Sequence, residues 1–125
     1  MNVSLFLKIK SVISVFSGLG MVFLYAYLMP IYGITLNSVG ILFAQWSGAG
    51  LFGIGLICWY AAQAEKSDLR QGILLALFLC DSIGFAVSLM AQLAGVVNVL
   101  GWSTVGLWLI LALGLGYFRF LKQGD

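Results

Sequence analysis

Apolar residues run almost unbroken through four stretches of the chain, about 11–29, 40–62, 71–94 and 103–117, and polar residues gather between them. A bilayer core about 30 Å thick takes about 20 residues of α-helix at about 1.5 Å per residue, so each stretch is long enough to cross once. The pattern predicts an all-α fold, a four-transmembrane-helix bundle built from two in-out-in hairpins, with residues 1–125 as a single integral membrane domain. The first run is longer than the roughly 7–15 residues of a signal-peptide core, and no small-x-small cleavage site follows it, so it reads as a retained span. Pro30 has no N–H to donate and is expected to end the first helix, leaving Pro30-Ile31-Tyr32-Gly33 as a turn. Asn37 or Ser38 can cap the second helix and Ser67-Asp68 the third, while Gly95 closes the third. Asn-x-x-Gly occurs in both far turns, at Asn37–Gly40 and Asn98–Gly101, and invites the idea of a parallel internal repeat.

Composition agrees with the pattern. Apolar residues make up 62% of the chain and charged residues 8%, too little polar side chain to solvate a globule. Nine of the ten charged residues lie in three short clusters, and all six Lys and Arg residues fall on one side of the predicted hairpin pair. The positive-inside rule then predicts a multi-pass protein of the bacterial inner (cytoplasmic) membrane with both termini inside. The net charge of +2 follows from this topology and calls for no nucleic-acid partner.

The tenth charge, Asp81, stands alone in the third apolar run, eleven residues beyond Arg70 and about 16 Å into the membrane. Intramembrane carboxyls are expensive and need a partner or a proton. With Lys8 and Lys10 read as the cytoplasmic flank of the first helix, no cation lies at its depth. Asp81 is therefore expected to be protonated, with Ser82 and Ser17 as candidate oxygen partners. Three roles stay open: a structural donor between helices, a proton or cation site, and a contact with another subunit. Gly84, Ser88 and Gln92 continue a mildly polar stripe from Asp81 towards the far face, either the lining of a narrow passage or the protein-facing side of the helix.

Small residues recur at four-residue spacing in every span: Ser14 and Gly18, Ala49 and Gly53, Cys80 and Gly84, Ala112 and Gly116. Such seams let helix backbones approach closely in lipid. The second helix is small on more than one side, so Gly48, Gly50, Gly53 and Gly55 form a candidate packing or partner face. Trp46 and Trp108 lie at similar depth near the far boundary and are candidates to flank a cavity for a lipid, quinone or pigment. Trp59, Tyr60 and Trp102 read as interfacial anchors.

Catalytic constellations are missing from the sequence. It holds no histidine, and with it no usual ligand for haem b, chlorophyll or zinc and no commonest general base. Cys58 and Cys80 are offset in depth and form no C-x-x-C, so they read as small apolar packers. The glycine run of the second helix sits within an apolar span and not after a strand, unlike a phosphate loop. No metal and no resident cofactor is expected.

The segment FAQWSGAGLFGIGLICWY, Phe43 to Tyr60, and AQLAGVVNVLGW, Ala91 to Trp102, resemble the small bacterial four-helix membrane proteins of uncharacterised function grouped loosely with the DoxX-like proteins. The resemblance spans most of the chain and implies a four-helix membrane fold. Some members carry an acidic and an arginine residue entering the second helix, where this chain has Gln45 and Trp46, so no functional residue is carried over. Small multidrug transporters have a glutamate in the first helix and fluoride channels a Gly-rich arginine motif, both absent here. The resulting expectation is a non-enzymatic accessory or assembly subunit of a larger membrane complex. Its partners would be membrane lipids and other subunits or further copies of itself. The alternative is a small proton- or cation-coupled transporter or channel using Asp81.

Overall fold

A computed structural model describes residues 1–122; the expected cytoplasmic position of Asp125 lies outside the described residues. Five α-helices follow one another: α1 (Val3–Phe23), α2 (Tyr25–Ile31), α3 (Ser38–Gln63), α4 (Asp68–Leu93) and α5 (Gly101–Gly116), with a terminal π-helical turn over Tyr117–Leu121. The fold is all-α, and α1, α3, α4 and α5 with its π turn are each long and apolar enough to cross a membrane. Three caps do what the sequence suggests. Asn37 accepts from the Gly40 N–H at 2.8 Å, Ser67 accepts from the Arg70 N–H, and Gly95 ends α4 at φ +77°, a conformation that favours glycine.

The start of α1 differs from expectation. Asn2 accepts from the Leu5 N–H at 2.8 Å and opens the helix at Val3, eight residues before Ser11. Lys10 therefore lies within α1 and not before it. Its end differs too. Leu24, at φ −119° and ψ 16°, breaks the helix ahead of Pro30, which sits inside the short α2 one residue before its last. α2 turns back so that Leu28 lies against Gly20, where a Cβ would stand 2.9 Å from the leucine methyl.

α1 packs along α3, and α4 along α5. The α1–α3 seam is built on glycine: a Cβ on Gly18 would stand 2.5 Å from the Gly48 carbonyl oxygen, and one on Gly48 2.6 Å from that of Gly18. A Cβ on Gly55 would meet the Val15 backbone nitrogen at 2.9 Å. Ser11 donates to the Gly55 carbonyl at 2.7 Å, so the close approach also makes an interhelical hydrogen bond. Gly53, expected in this seam with Ala49, faces away from it; nothing lies within 4 Å of where its Cβ would be.

The two hairpins meet chiefly at the end that carries the start of α1, the α3–α4 loop and the π turn, called here the base. Val3, Leu7, Cys58, Leu74, Leu115 and Phe118 form the core of this end, and the Phe6 and Phe118 rings lie 5.4 Å apart. At the far end Asn98 clips the hairpins together: its N–H donates to the Tyr32 carbonyl and its side-chain amide to that of Ile31, at 3.0 and 2.9 Å. Gly33, at φ +73°, lies against the Asn98 side chain.

Candidate functional site

On α1 the residues Val3, Leu7, Lys10 and Ser14 recur at steps of four, three and four, which places them on one face, and all four are buried. Lys8 is two residues from Lys10, about 200° around the helix, and is exposed. On α4 Leu74, Leu77 and Asp81 form the matching face. Above the apolar base cluster the two faces bring opposite charges together. Lys10 Nζ donates to Asp81 Oδ2 at 2.7 Å and to Oδ1 at 3.0 Å, with 2% and 1% of the two side chains exposed.

This corrects the expectation that Asp81 has no cation within reach. The cause is the early start of α1: seven residues beyond Val3, Lys10 is about 10 Å along the helix, and its long aliphatic stem covers the remaining distance. An ammonium and a carboxylate in such mutual contact offset part of each other's cost of leaving water, which single intramembrane charges cannot do. The sequence held the signal in the Val3-Leu7-Lys10-Ser14 phase and the Asn2 cap.

Neither serine expected beside Asp81 joins it. Ser82 donates to the Phe78 carbonyl one turn back in its own helix, and Ser17 is exposed on α1. The polar stripe beyond Asp81 is a packed face. Trp108 of α5 lies over Gly84, where a Cβ would come within 2.6 Å of its ring; Ser88 is half-buried, and Gln92 donates to the Asn98 carbonyl at 2.9 Å. Trp46 is 61% exposed on α3 with the Phe43 ring near-perpendicular to it, whereas Trp108 packs on Gly84 of α4. Two surface depressions, about 410 Å³ in the elbow of α2 and about 280 Å³ between α1 and α3, are lined by neither tryptophan and by neither member of the ion pair. Cys58 is buried in the base core and Cys80 half-buried, both as free thiols. Among the described residues no cluster of His, Cys, Asp and Glu could hold a metal ion.

The four glycines singled out on α3 divide between opposite faces. Ala44, Gly48, Gly55, Cys58 and Ala62 are buried on the side of α1 and the base. Phe43, Trp46, Gly50, Gly53, Ile57 and Tyr60 follow alternating steps of three and four, the spacing of a helix-pairing seam, on the other side. Along this second seam nothing from the rest of the fold lies within 4 Å of where a Cβ on Gly50 or Gly53 would be, and Trp46, Ile57 and Tyr60 are 61%, 51% and 70% exposed. No family model, curated protein or solved structure matches the chain.

Proposed function

We propose that this protein is an accessory or assembly subunit of a larger complex in the bacterial cytoplasmic membrane, held with both termini inside, and that it meets its partner helix along the open seam of α3. The observation that carries this reading is the period of that seam. Two glycines at its centre leave the backbone bare between aromatic side chains, the arrangement through which a neighbouring helix makes close van der Waals contact in lipid. No enzymatic role is proposed. The cytoplasmic position of the base rests on its basic residues: Lys8, Lys66, Arg70, Arg119 and Lys122 remain there after Lys10 is assigned to the interior. The likeness to DoxX-like proteins fits a small bundle of this kind.

Gly50→Leu and Gly53→Leu test the reading, because each adds a side chain to open space in the isolated fold. Stability should stay within about 0.5 kcal/mol of wild type. After extraction in mild detergent, the larger native species containing the wild-type chain should be lost from both variants. Unchanged co-migration of both variants would remove the support of the seam.

A second reading, a small proton- or cation-coupled carrier, is favoured by the intramembrane position of the Lys10–Asp81 pair, since ionisable groups at such depth commonly mark ion pathways. The closure of the pair and the packing of Trp108 on Gly84 favour the subunit reading over it.

A further inference from the structure

On the lipid-facing side of the α1–α3 hairpin, Val12, Val15 and Phe16 of α1 and Leu56 and Trp59 of α3 enclose an open apolar groove of about 280 Å³, with Ser11 beneath it. Val12 and Phe16 are 50% and 70% exposed, and the Ser11 hydroxyl is already engaged with the Gly55 carbonyl. One turn towards the base from Val12 stands Lys8, exposed, its ammonium 6.0 Å from the centre of the Trp59 ring. Trp59 thus touches both parts: its indole lines the groove and stands beside the cation.

We propose that this groove binds an anionic phospholipid from the leaflet at the base, with the phosphate at Lys8 and an acyl chain laid against Val12, Phe16 and Leu56. The occupant follows from the order of chemistry along the bilayer normal. A cation at the interface, an indole at the boundary and an apolar cleft running inward match a headgroup, a glycerol region and a chain in that sequence. Charge selects the lipid. Lys8 has an indole face as its neighbour, where the other lysine of α1 has Asp81, so its charge is available to a phosphate. The Phe43–Tyr60 seam contributes none of the lining residues, so the proposal does not rest on the subunit reading.

Native mass spectrometry of the purified protein, titrated separately with dioleoylphosphatidylglycerol and dioleoylphosphatidylcholine, tests it. Wild type should hold phosphatidylglycerol more tightly. Lys8→Gln should weaken phosphatidylglycerol about fivefold, the equivalent of about 1 kcal/mol for one basic residue at an anionic surface, and leave phosphatidylcholine unchanged. Lys8→Arg should restore the preference. Val12→Trp, which fills the cleft from an exposed position, should weaken both lipids. Equal retention of the two lipids by wild type would overturn the proposal. So would an equal loss in Lys66→Gln, whose lysine lies in the α3–α4 loop and does not line the groove.

Discussion

Asp81→Leu is expected to lower stability by about 3–5 kcal/mol, because it leaves the Lys10 ammonium buried without the carboxylate it pairs with. Lys10→Met should cost a similar amount for the converse reason. The combined variant, Lys10→Met with Asp81→Leu, should recover most or all of that loss, since two apolar side chains need neither a counter-charge nor a proton. Unfolding by a denaturing detergent, followed by helix signal, measures all three. Near-additive losses in the combined variant would mean that the two groups are not coupled. The same set separates the two functional readings: a carrier that loads a proton at Asp81 would fold in the combined variant and lose all coupled flux in reconstituted vesicles. A subunit would keep its complex.

Gly48→Leu should disrupt the first hairpin more severely than any surface change on α3. A Cβ alone would press to 2.6 Å on the Gly18 carbonyl oxygen and 2.9 Å on a Val22 methyl, so a leucine can be admitted only by moving α1 away. That displacement also breaks the Ser11 to Gly55 hydrogen bond. The loss should equal or exceed the roughly 1–3 kcal/mol of an overpacked core. Gly53→Leu, five residues along the same helix, should leave the detergent unfolding curve unchanged. Equal effects at Gly48 and Gly53 would contradict the assignment of the two faces.

Sequence reading reaches the four spans, the hairpin pairing and the caps at Asn37, Ser67 and Gly95, because each depends on local chemistry or on the thickness of a bilayer. It also isolates Asp81 as the costly residue. It misses the partner because charge near a helix start looks like a membrane flank, and the choice between flank and interior turns on whether Asn2 or a later residue begins the helix. Gly48 and Gly53 show a second limit. With Ser47-Gly48-Ala49-Gly50 small almost all the way around the helix, spacing cannot say which side faces α1; packing of Val15, Gly18 and Ser11 decides it. Pro30 shows a third: the helix breaks at Leu24, where Leu28 folds back onto Gly20, and the proline falls within the next short helix.

Site-specific photo-crosslinking in native membranes tests the open α3 seam most directly. A photoreactive side chain in place of Ile57 sits on the seam, and one in place of Ile83 sits on the outer surface of α4, where the native residue is 65% exposed. The subunit reading predicts a discrete protein adduct from position 57 and only lipid adducts from position 83. Lipid adducts alone from both positions would contradict it.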